Sequence, residues 1–116
     1  MADIADTSLQ KPKQKLGVLI VDDDTDILAL ANHELKDLHN VFTAENAIQA
    51  MDILKRNDIQ IALCDERLKI ESGSELLADI KKQYPDIVRI LISGYTDATA
   101  VMNAINKANV FKYIIK

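Results

Sequence analysis

The chain is expected to be an α/β domain built on one parallel sheet, and three observations carry that expectation. Short apolar runs alternate with segments of helical period from Leu16 to the end of the 116 residues. The run Ile59 to Cys64 is nearly continuous in apolar residues, as a strand covered on both faces requires. Regular alternation of strand and helix implies parallel neighbours joined by right-handed crossovers.

The first strand is the apolar run beginning at Val18, which ends abruptly in Asp22, Asp23 and Asp24. Thr25 or Asp24 can cap a first helix carrying Ile27, Ala31, Leu35 and Leu38 at helical spacing and ending near His39 and Asn40. Val41 to Ala44 forms a second strand. Asn46 can cap a second helix that buries Ala47, Ala50, Met51 and Leu54 and closes on Lys55 and Arg56.

The third strand, Ile59 to Cys64, also ends in acids, Asp65 and Glu66. A polar loop runs to Gly73, and Ser72 with Glu75 has capping-box spacing ahead of Leu76, Leu77 and Ile80. Pro85 marks the exit from that helix, and Ile87 to Ile92 is a fourth strand ending at Ser93 and Gly94. A fourth helix from about Asp97 carries Ala98, Val101, Ile105 and Ala108 on one stripe, and Phe111 to Ile115 forms a fifth strand. Residues 1–15 are polar, mixed in charge and read as a flexible leader, leaving residues 16–116 as a single domain.

Composition narrows the class. An apolar fraction of 48% and a charged fraction of 28% suit a globular domain with a real core and no need of disulfides. A net charge of −4 argues against a nucleic-acid surface, which needs a concentrated basic face. No apolar run approaches the roughly 20 residues of a membrane span. The lone Cys64 lies inside an apolar run, so a reduced, buried thiol and a cytoplasmic location are expected.

In an open parallel sheet, ligands bind outside the carboxyl ends of the strands. Those ends bear Asp22, Asp23, Asp65, Ser93 and Lys116. Each has a plainer role available: a solvated acidic turn, a hydroxyl bonded to backbone, a helix cap, a solvated lysine. Together they match what phosphoryl transfer to a carboxylate needs. A hard divalent ion is shared between carboxylates and the phosphoryl group, while a hydroxyl and an ammonium hold the remaining oxygens.

The segments VLIVDDDTDIL, ALCDERLKIESGSELL, RILISGYTD and FKYIIK resemble the response-regulator receiver domain, the phospho-accepting half of bacterial two-component signalling. The resemblance runs from about Leu16 to Lys116. It implies a three-layer, flavodoxin-like, doubly wound sheet of five parallel strands in the order 2-1-3-4-5. It also implies that Asp65 is the phosphoacceptor and that Asp22, Asp23, Asp65 and the backbone carbonyl of Arg67 gather Mg2+ or Mn2+. Ser93 corresponds to the switch hydroxyl, Lys116 to the phosphate-contacting lysine and Tyr113 to the aromatic switch. Arg67 and Tyr95 stand where such domains tune the lifetime of the acyl phosphate.

The resemblance further implies a regulatory phosphoacceptor rather than a turnover enzyme, fed by a sensor histidine kinase or a phosphotransfer protein. It leaves open a homodimer through the fourth helix and fifth strand, and it calls for an output domain that this chain does not contain. Two departures stand out: Lys69 occupies a position that often holds proline, and the sequence stops at Lys116 before the usual proline and fifth helix. Two other classes share parts of this pattern. A phosphorylation-independent interaction module would have no physical reason to keep clustered charge. A phosphatase with an aspartyl-phosphate intermediate would need a general acid beside the nucleophile and a cap over the substrate.

Overall fold

The computed structural model describes residues 15–94 and the backbone of residues 112–115. Within them the order is β1 (Gly17–Val21), α1 (Thr25–Leu35), β2 (Asn40–Ala44), α2 (Ala47–Arg56), β3 (Ile61–Asp65), α3 (Gly73–Gln83), β4 (Val88–Ser93) and β5 (Lys112–Ile115). The strands form one five-stranded sheet in the order β2-β1-β3-β4-β5, with every neighbouring pair parallel. This is the expected 2-1-3-4-5 order. The expected leader up to Gln14, the fourth helix and the side chains of the fifth strand lie outside the described residues.

Strand alternation sorts β1 onto both faces. Leu19 and Val21 join Ala50, Leu54, Leu76, Leu77 and Ile80 in one core, beneath α2 and α3. Val18 and Ile20 join Leu28 of α1, with Ala31 and Leu35 against them, on the other face. A strand buried on both sides must be apolar throughout, and all five residues of β1 are buried. On α3, Leu76, Leu77 and Ile80 are fully enclosed, each contributing about 2 kcal/mol of burial.

The caps fall where the sequence places them. Asn46 accepts from Gln49 N–H at the start of α2. Ser72 and Glu75 form the reciprocal box at the start of α3. At α1 the choice between Thr25 and Asp24 falls on Asp24.

Most boundaries agree to within one residue, and two elements, α1 and β3, depart further. Helix α1 stops at Leu35, short of the expected His39, because Leu38 and His39 both donate to the Leu35 carbonyl at 3.0 Å and tighten the chain into a turn. Asn40 N–H then bonds the Leu16 carbonyl at 2.9 Å, drawing the chain into the sheet. His39 therefore lies beyond the helix, where its Nδ1 accepts from Leu16 N–H at 3.3 Å. Strand β3 begins at Ile61 rather than Ile59 and extends one residue further, to Asp65, so the acceptor candidate is itself the last strand residue.

Candidate functional site

Adjacent parallel strands bring the acids of different chain segments to one edge. Val21 is paired with Cys64, so the next residue of each strand, Asp22 and Asp65, emerges side by side. One carboxylate oxygen each from Asp22, Asp23 and Asp65 lies within 4.8 Å of the others. Asp22 and Asp65 are both buried and Asp23 is half-buried. Like charges this close repel by about 1 kcal/mol per pair even where water screens them.

The turn after β1 divides its aspartates by task. Asp22 N–H bonds the Ala44 carbonyl at 3.1 Å, prolonging the ladder with β2. The Asp22 Oδ1 accepts from Asp24 N–H at 2.9 Å, which fixes the turn. Asp24, exposed, accepts from Asp26 N–H at 2.9 Å and caps α1. Asp22 and Asp23 are thereby left at the sheet edge while Asp24 belongs to the helix.

The neighbouring thiol reports the same negative field. Cys64 is completely buried and its Sγ donates to the Asp65 carbonyl at 3.4 Å. Burial pushes this thiol well above its ordinary pKa, and the charges of Asp65, Glu66 and Asp22 push it further in the same direction.

Ser93 ends β4 with no exposed surface, and its Oγ donates to the Gly94 carbonyl at 3.2 Å. In register, Asp65 pairs with Ile92 and Ser93 pairs with Ile115, so Ser93 stands one step beyond the partner of Asp65. Tyr113 lies in β5 with its backbone opposite Leu91. Its side chain, Tyr95 and Lys116 lie outside the described residues. Arg67 is exposed and forms an antiparallel bridge with Ser72 that closes the loop after β3.

Two residues of this edge carry more than their sequence roles. Glu66, seen in the sequence only as the second acid after the third strand, is 7% exposed, and its Oε1 accepts from Ser74 N–H at 2.9 Å. Gly73 opens α3, where glycine is a poor helix former. A Cβ there would sit 2.1 Å from the Asp65 carbonyl oxygen, so only glycine lets the helix rest on the end of β3. A glycine at the first helical position, straight after a good cap, was the available signal.

Residues 18–116 match the family described as the response regulator receiver domain. The chain belongs to that family. Receiver domains are the regulatory phosphoacceptor domains of two-component response regulators. The chain is 36% identical over 99 residues to the hydrogenase transcriptional regulatory protein HoxA of Cupriavidus necator, covering 85% of this chain and 20% of that protein. It is 38% identical over 108 residues to a putative NtrX-like response regulator of Rickettsia felis, covering 88% and 22%.

Among solved structures, the signal receiver domain of an HD domain-containing protein from Pseudomonas fluorescens Pf-5 superposes with a TM-score of 0.84 at 29% identity, covering 89% of this chain and 83% of that one. NtrX from Brucella abortus gives 0.80 at 29% identity, covering 89% and 24%. The receiver thus spans about a fifth of the length of the curated relatives it matches. Among the described residues, no helix is long and apolar enough to cross a membrane.

Proposed function

We propose that this receiver accepts a phosphoryl group on Asp65 from the phosphohistidine of a sensor kinase or phosphotransfer protein, or from a small acyl phosphate. The observation that carries the proposal is the convergence of Asp22, Asp23 and Asp65 carboxylate oxygens within 4.8 Å. An Asp65 carboxylate oxygen attacks phosphorus, the new P–O bond forms, and the bond to the donor's nitrogen or oxygen breaks with its electron pair leaving on the donor.

The donor set fits Mg2+ or Mn2+: all its atoms are hard oxygens, and Mg2+ takes one or two carboxylates together with phosphoryl oxygens. Asp22, Asp23, Asp65 and the Arg67 carbonyl are the residues that would hold the ion. When bound, it supplies positive charge to the transferring phosphoryl oxygens. Relief of repulsion among the carboxylates gives it a reason to bind.

Ser93 is the hydroxyl that would exchange its Gly94 carbonyl for a phosphoryl oxygen, with Lys116 contacting another. That exchange would free space for Tyr113 and bias the surface of the fourth helix and β5, where partners or a second receiver would read it. Arg67 and Tyr95, both large, would limit water's access to the acyl phosphate. The transcriptional regulators among the relatives make a DNA-acting output domain, in a cytoplasmic protein, the expected destination of the signal.

The two other classes fare less well. A buried acidic cluster is costly for a module that never uses it. A phosphatase would need a free general acid, and Glu66 is committed to Ser74.

Acetyl phosphate with Mg2+ is expected to label the wild type and not Asp65→Asn, and undiminished labelling of that variant would overturn the assignment. The same assay tests lifetime, since Arg67→Ala and Tyr95→Ala should shorten it, and unchanged decay in both would exclude tuning by these side chains.

A further inference from the structure

We propose that Glu66 is a positioning residue for phosphoryl transfer: its side chain clamps the first turn of α3 onto the acceptor strand and so fixes the loop that borders the reacting carboxylate. The inference rests on the reading of Asp65 as acceptor. It adds a role for a residue that touches neither phosphate nor metal.

Glu66 is joined on three sides. Its N–H donates to the Ile92 carbonyl at 2.8 Å, tying it to β4 one residue before Ser93. Its carbonyl accepts from Gly73 N–H at 2.8 Å. Its Oε1 accepts from Ser74 N–H at 2.9 Å, and its Oε2 meets the Ser74 Oγ at 3.5 Å. One buried residue therefore touches two strands' worth of the site edge and the start of a helix.

The bonds to α3 are more than ordinary capping. The first amides of a helix have no partner within it. Here Ser72 Oγ already serves Glu75 N–H at 3.2 Å. Glu66 takes the two amides before it, Gly73 through its backbone and Ser74 through its side chain. A carboxylate at a helix amino terminus is also favoured by the aligned peptide dipoles. Glu66 and Ser74 are eight positions apart in sequence, so the clamp closes a loop whose next rung is the Arg67–Ser72 bridge.

Two features make the clamp matter for chemistry. The absent Cβ of Gly73 lets the helix approach the Asp65 carbonyl directly, so a shift of α3 is a shift of the acceptor's own backbone. The loop also contains Arg67, whose carbonyl is a proposed metal ligand. Phosphoryl transfer depends on placement, and an error of about 1 Å can cost on the order of a hundredfold in rate.

Reach and charge can be separated at this position. Glu66→Gln keeps the length and an acceptor oxygen for Ser74 N–H but loses the charge. Glu66→Asp keeps the charge but is one methylene too short. The proposal expects Gln to be labelled by acetyl phosphate and Mg2+ within about twofold of wild type and Asp to be slowed about tenfold or more, with thermal midpoints confirming that both fold. Slow Gln with normal Asp would show that charge is what counts and would overturn the proposal, as would equal rates in all three. Asp65→Asn is run alongside: labelling that survives in it overturns the acceptor reading, whereas its loss together with equal rates across Glu66 variants overturns only this inference.

Discussion

The two loops that bring acids to the sheet edge solve the same problem with different means. The turn between β1 and α1 is three residues long, Asp22 to Asp24, and the side-chain bonds that shape it are local, Asp22 holding Asp24 N–H and Asp24 holding Asp26 N–H, while Asp22 N–H continues the ladder to Ala44. The loop between β3 and α3 is seven residues long, Glu66 to Ser72, and is held by contacts that span its whole length. A short turn needs only Asx-type bonds to become rigid. The longer one, which starts directly after Asp65, is tied from its far side by the Ser74 N–H bond to Glu66.

The largest expected effect is therefore on the longer loop. Gly73→Ala would drive a Cβ to 2.1 Å from the Asp65 carbonyl oxygen. Backbone oxygen cannot yield as a side chain can, so the variant should lose about 3 kcal/mol or more of stability and label poorly. A denaturant melt within about 0.5 kcal/mol of wild type would show that α3 has room to retreat, and would remove the basis for treating the helix and acceptor as one unit.

The acidic cluster offers a middle-sized test with an unusual sign. Asp23→Asn removes one of three mutually repelling charges while leaving the Asp22–Asp24 turn bond intact. In the presence of a chelator it should raise stability by about 1 kcal/mol, or about 4–8 °C in Tm for a domain of this size. On adding Mg2+ the order should reverse, with wild type gaining and the variant not. Loss of stability in chelator would mean that Asp23 has a structural task that repulsion does not capture.

The smallest effect belongs to the short turn's outermost acid. Asp24→Ala removes the α1 cap and should cost about 0.5–1 kcal/mol, with labelling unchanged. If labelling falls as well, the division of the aspartate triplet between site and helix is wrong.

Much of this architecture was legible because its causes are local. Asn46, Ser72 and Glu75 are short-range caps, and β1 and β3 announce burial through their apolar runs. The convergence of Asp22, Asp23 and Asp65 was also legible, since parallel strands of equal register must deliver their carboxyl ends to one edge. What escaped depends on distant neighbours. Glu66 looks like any solvated acid until α3 folds back over it, and Gly73 looks like a loop residue until the Asp65 carbonyl is found against it. The end of α1 at Leu35 was hidden for a similar reason, because the bond from Asn40 to Leu16 pulls the chain away from a helix its own residues would extend.

The most direct measurement asks which of three crowded carboxylates takes the phosphoryl group. After labelling with acetyl phosphate and Mg2+, borohydride reduction converts a phosphoaspartate to homoserine, and peptide mass mapping locates it. Homoserine at position 65 alone is the expected result. Homoserine at position 22 or 23, or none at 65 in labelled protein, would contradict the assignment of roles at this site.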